Sequence, residues 1–185
     1  MALTALSCAA CGSKRTVLVT PSGRIGPLRV DESTRADVIA FAGKPESERH
    51  GRYSDDPPFD ALGYGCKGRP AANKEGVPGC ETVFYLDART DKLAILDTRD
   101  PRYVETHGVR VGTPTAAAER RLHMHVHVGC ADNIFLPTRT GFLFLWFYDD
   151  RIETRPKQHI VGGRVGEVIV HSARLNPGVI DCVDS

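Results

Sequence analysis

The sequence restarts partway along. Aligning GPLRVDESTRADVIAF, residues 26–41, with HGVRVGTPTAAAERRL, residues 107–122, keeps four identities in sixteen: Arg-Val, a Thr that opens a helix, and an Ala at the same offset. The grammar around the two stretches repeats as well: strand, cap, helix, cysteine-bearing loop, aromatic strand hairpin. A supersecondary unit that occurs twice predicts two tandem units of helix plus antiparallel sheet.

Local signals fill in each copy. RTVLVTP and RIGPLRV read as short extended segments parted by the turn Pro21-Ser22-Gly23. STRADVIAFAGKP predicts a helix, with Ser33 or Thr34 as N-cap, Asp37 three residues after Thr34, Val38, Phe41 and Ala42 on one face, and Gly43 as the stop. Residues 44–81, rich in Gly, Pro and charge, read as a long irregular connection. TVFYLD and KLAILD then predict a hairpin around ARTD, and RYVETHGVRV another extended stretch. In the second copy Thr113 is the expected N-cap and Pro114 the first helical residue, AAAERRL the helix, and GFLFLWFYDDRIETR a strand, turn and strand. RVGEVIVHSA closes the pattern, alternating Val165, Glu167, Ile169 and His171 against Gly166, Val168, Val170 and Ser172.

Two tandem units of helix plus antiparallel sheet, each opening on a G-x-L/V-R-V … T segment, resemble the beta-lactamase-inhibitor-protein fold and the SmpA/OmlA-type outer-membrane assembly lipoproteins. The resemblance runs over roughly residues 25 to 182. It implies an α+β envelope protein, with repeats at 25–105 and 106–185 behind a tether and first strand at 11–24. Their sheets would form one extended sheet with the helices on one face, presenting a broad binding surface.

The N-terminus adds an address. A short apolar run, Ala2, Leu3, Ala5 and Leu6, is followed by Ala9, Ala10, Cys11-Gly12-Ser13 and the basic pair Lys14-Arg15. This resembles the lipobox of bacterial lipoproteins, which implies cleavage before Cys11 and acylation of that cysteine. Met1 then lies within a longer signal peptide, 1–10 is its remnant, and Cys8 is a second possible acyl acceptor. A redox C-x-x-C would need a strand before it, and a zinc ribbon a second close pair. With Cys8 discarded and Cys11 acylated, Cys66, Cys80, Cys130 and Cys182 remain for two disulfides in an oxidising compartment. Four cysteines permit three pairings; spacing favours Cys66 with Cys80, and elimination then pairs Cys130 with Cys182.

Net charge is +1, from 24 basic and 23 acidic residues without a block of like sign, so the sequence carries no footprint for nucleic acid or anionic lipid. The longest apolar run, Gly141 to Tyr148, is strand length and far short of the roughly 18 residues of a membrane-spanning helix. Within LHMHVHVGC, a strand would place His123, His125 and His127 on one face, offering imidazole ligands to a metal; a helix would separate His125 from the other two. Along the aromatic strand, Phe142, Phe144, Trp146 and Tyr148 alternate with Leu143, Leu145 and Phe147. The first set are candidate interface anchors. Asp55-Asp56 and Asp149-Asp150 sit in loop contexts, and no Walker A, G-x-S-x-G or G-x-G-x-x-G motif occurs. The expectation is a non-catalytic, lipid-anchored envelope protein without a cofactor, which binds a protein or envelope component, touches the membrane through its lipid alone and binds no nucleic acid. The alternatives are a metal-binding protein centred on the three histidines and a secreted, inhibitor-like protein without lipid.

Overall fold

The computed structural model describes residues 15–51, 58–66, 79–127, 133–148 and 163–175. The first helix forms where its caps demand. Thr34 Oγ1 accepts from the Asp37 backbone N–H at 3.3 Å, and the Asp37 carboxylate accepts from the Thr34 N–H at 2.8 Å. This capping box satisfies two otherwise orphaned donors, and chiefly the Thr34 N–H bond holds the Asp37 carboxyl below its usual range. Helix α1, Arg35–Ala42, ends at Gly43 with φ +88° and buries Val38.

The second helix, α2, Thr115–Leu122, starts one residue later than expected, with Pro114 as its N-cap. Thr113 is occupied elsewhere: its Oγ1 accepts from the Arg110 N–H at 3.0 Å, so it cannot cap the helix. His123 closes α2 in the left-handed region, φ +53°, at the place that Gly43 takes after α1.

Seven strands pair antiparallel in one sheet. They are β4 Ser47–Gly51, β5 Phe59–Tyr64, β6 Thr82–Asp87, β7 Lys92–Thr98, β9 Asn133–Pro137, β10 Gly141–Tyr148 and β11 Arg164–Ser172, in the order β4-β5-β6-β7-β11-β10-β9. The expectation of an irregular 44–81 is thereby corrected, since β4 and β5 lie within it. β4 reads Ser-Glu-Arg-His-Gly because it is an exposed edge strand, and such strands carry charge rather than alternation. The single extended sheet is corrected too. β1 Val17–Val19, β2 Arg24–Ile25, β3 Leu28–Arg29 and β8 Tyr103–Glu105 form a separate four-stranded mixed sheet, in which β1 and β8 run parallel. Its inward residues Val19, Ile25 and Leu28 join Val38 of α1 and Ala118 of α2 in one core with Leu96, Leu143, Leu145 and Val168 of the large sheet. Both helices and the small sheet therefore cover the same face.

The two helix entrances are built alike. The Arg29 N–H donates to Ser33 Oγ, as the Arg110 N–H does to Thr113 Oγ1, each at 3.0 Å. Asp31 N donates to Leu93 O and Leu93 N to Ser33 O; Gly112 N donates to Val165 O and Val165 N to Thr113 O. Asp31 and Gly112 both have positive φ, 63° and 86°. β7 and β11 each carry a bulge, at Ala94 and at Gly166, where one residue lacks a partner on β6 or β10. The bulge at Gly166 corrects the expected alternation: it turns Val165 onto the helix-covered face with Val168 and Val170, while Glu167, Ile169 and His171 remain on the other. At the seam the pairs Thr98 with Val168 and Leu96 with Val170 flank Asp97 opposite Ile169.

Candidate functional site

The second face of the large sheet carries Phe142, Phe144 and Trp146, three of the aromatic residues that the sequence offers as anchors. Phe142 and Phe144 are 5% and 2% exposed. They pack with Phe135 at centroid distances of 5.4 and 4.9 Å, and His171 stacks on Phe142 at 4.4 Å. Trp146 is half-buried, and its buried Nε1–H has no hydrogen-bond partner among the described residues. The side chain of Tyr148 lies outside the described residues. At Phe142 and Phe144 the expected contact surface is thus internal packing, because Phe135 packs on both rings and His171 on Phe142.

Beside the aromatics lies a charged centre that sequence reasoning passed over. Asp97 on β7 hydrogen-bonds Glu167 on β11, and Arg99 Nε stands 3.2 Å from Glu167 Oε1. Glu167 is 3% exposed. Withdrawal of the Asp97 carboxyl from water, and after it the neighbouring Glu167 charge, raise the Asp97 pKa well above the usual carboxylate value, with Arg99 opposing. The Asp97 carboxyl is thus held toward its protonated form. A signal was available: both are acids two residues from core isoleucines, Ile95 and Ile169, on the same strands. Their partnership was hidden because the two residues stand 70 positions apart in the sequence.

The histidines alternate as expected but not on a regular strand. His123, His125 and His127 are exposed, while Met124 and Val126 turn inward. His123 is the helix cap, His125 Nδ1 lies 3.6 Å from Glu119 Oε1, and His127 pairs its backbone with Asn133 at 2.7 and 3.0 Å. Among the described residues no three His, Cys, Asp or Glu side chains form a group that could hold a metal.

Cys66 and Cys80 are joined, S–S 2.06 Å. Glu46 roots the bridged loop by accepting from the Gly65 N–H at 3.2 Å and the Cys66 N–H at 2.9 Å. Cys8, Cys11, Cys130 and Cys182 lie outside the described residues, as do the acidic pairs Asp55-Asp56 and Asp149-Asp150.

Next to the disulfide a cleft of about 550 Å³ opens between the two sheets, lined by Arg15, Tyr64, Glu81, Asp100, Arg102 and Tyr103 among others. Burial, and then Glu48, push the Tyr64 phenol up to about 12, and burial raises that of Tyr103 further. Both stay protonated at neutral pH. Tyr64 donates to the Gly43 carbonyl at 3.1 Å, and Arg102 is engaged with Asp100 at 2.6 Å. The cleft thus holds two protonated phenols beside the fixed Arg102–Asp100 ion pair.

No family model matches the chain, and no curated protein matches it. Among solved structures it is similar to the crystal structure of the uncharacterized protein yfeY from Escherichia coli, at 13% identity and a TM-score of 0.45, over 84% of this chain and 99% of that one.

Proposed function

We infer that this chain is a non-catalytic, lipid-anchored protein of the bacterial cell envelope that binds a protein or envelope component. It is built from two tandem repeats on the plan of the beta-lactamase inhibitor protein and the SmpA/OmlA-type lipoproteins. The observation that carries this reading is the Cys66–Cys80 disulfide. Such bonds persist in oxidising compartments and are rare where thioredoxin and glutathione keep thiols reduced. Cys11, in its lipobox-like context, then supplies the anchor.

The matching helix entrances and bulges support the repeat, and the large sheet with its disulfide-closed loop gives the module a stable frame for recognition. Metabolic labelling with a clickable palmitate tests the anchor. Label is expected on the wild-type chain and lost from the Cys8→Ala, Cys11→Ala double variant; equal label on both removes the anchor from the account. Fractionation of the same cells separates the anchored protein from a secreted one.

A further inference from the structure

The small sheet turns an arginine-rich face outward. Its inward residues Val17, Val19, Ile25, Leu28 and Tyr103 are buried, so strand alternation sends Leu18, Arg24, Arg29 and Val104 the other way. Leu18 registers with Val104 and Arg24 with Arg29, while Arg110 bridges to Val104. Arg102, Arg110 and Arg121 line a groove of about 810 Å³ around Val104, and among the described residues no Asp or Glu lines it. Leu18, at the middle of this face, is 43% exposed.

Within the protein these arginines are only partly engaged. Arg24 Nε donates to the Gly26 carbonyl, Arg121 to the Gly108 carbonyl, and Arg102 pairs with Asp100. Arg29 and Arg110 are exposed and make no side-chain hydrogen bond or ion pair among the described residues. A chain whose charges balance overall and are spread along its length has thus been folded so that five arginines dispersed in sequence share one side.

We propose that this face lies against the anionic headgroups of a phospholipid membrane. The proposal rests on the lipid-anchor reading of Cys11. Val17 is the sixth residue after Cys11, a reach of at most about 21 Å when fully extended. The small sheet, entered first from the anchor, is therefore kept near the bilayer. Guanidinium forks pair with phosphate oxygens in bidentate geometry, and the exposed Leu18 supplies an apolar contact among them. The membrane is then met by the protein surface as well as by the lipid.

The test uses the full chain carrying Cys8→Ser and Cys11→Ser, so that binding by the face is read without acylation. Sedimentation with phosphatidylcholine vesicles containing phosphatidylglycerol, against phosphatidylcholine alone, is expected to show binding to the anionic vesicles only, weakened by raised salt. Adding Arg29→Gln and Arg110→Gln should lower the partition coefficient about 25-fold, at roughly fivefold per arginine. Removing the same charge far from this face, with Arg49→Gln and Arg89→Gln, should change it less than about twofold. Absence of binding to anionic vesicles, or equal losses in the two double variants, overturns the proposal and leaves the face to an acidic protein. Because palmitate labelling is scored separately, a failed face with a labelled Cys11 refutes the docking alone.

Discussion

Replacing Cys66 and Cys80 together by serine removes the cross-link and leaves in place the Glu46 carboxylate that holds the Gly65 and Cys66 N–H groups. The cost then falls mainly on the unfolded chain, which regains the freedom of a loop whose ends are 14 residues apart. Loop-closure entropy for that length corresponds to about 3 kcal/mol at 25 °C. In a chain of this size, where 1 kcal/mol moves the melting midpoint by roughly 2–4 °C, the double variant should melt about 6–12 °C lower. Urea unfolding separates the origin of the loss: an unfolded chain released from the cross-link exposes more surface, so the slope of free energy against urea should rise as the midpoint falls. A stability difference below about 1 kcal/mol would refute the reasoning. So would a full loss at unchanged slope, because the disulfide would then be acting on the native state.

Three further expectations follow from the core and its seam. Because the folded Asp97 carboxyl keeps its proton to a higher pH than the unfolded one, stability should fall as pH rises from the ordinary carboxylate range through the raised value; Asp97→Asn should flatten that decline and be the more stable form at pH 8, and urea midpoints at pH 5 and pH 8 decide it. Leu96→Ala, at a fully buried position between the large sheet and its covering layer, should cost about 2–5 kcal/mol in equilibrium unfolding. His123→Gly should stabilise the chain by about 1 kcal/mol, since the cap residue has φ +53° and a glycine adopts that conformation without a Cβ penalty; an unchanged or lower melting point would count against strain at this cap.

What the sequence disclosed was local chemistry. The α1 capping box and its Gly43 stop involve residues within one or two turns of each other, so Thr34, Asp37 and Gly43 announce the helix unaided. The β6–β7 hairpin was legible for the same reason, as was the alternation of the histidine stretch. Less visible were features made by residues remote in sequence. β1 and β8 pair in parallel across most of the first half of the chain, and nothing in RTVLVTP or RYVETHGVRV says that they leave the main sheet to join one another. The acid pair Asp97 and Glu167 and the arginine face share that origin, since each assembles side chains that no local window contains. Thr113 misled in a different way: its hydroxyl had two possible employers, the helix start and the Arg110 N–H, and the turn won. Phe142 and Phe144 showed their apolar character plainly, but whether an aromatic faces a partner or its own neighbours is settled by packing that alternation does not encode.

The central claim is that this chain works outside the cytoplasm, and the redox state of its cysteines in the native host tests that claim most directly. Cells lysed into excess N-ethylmaleimide under denaturing conditions, followed by peptide mass spectrometry without reduction, should yield Cys66 and Cys80 as a linked, unalkylated pair, with Cys130 and Cys182 likewise unalkylated. Stoichiometric alkylation of Cys66 and Cys80 would contradict the account.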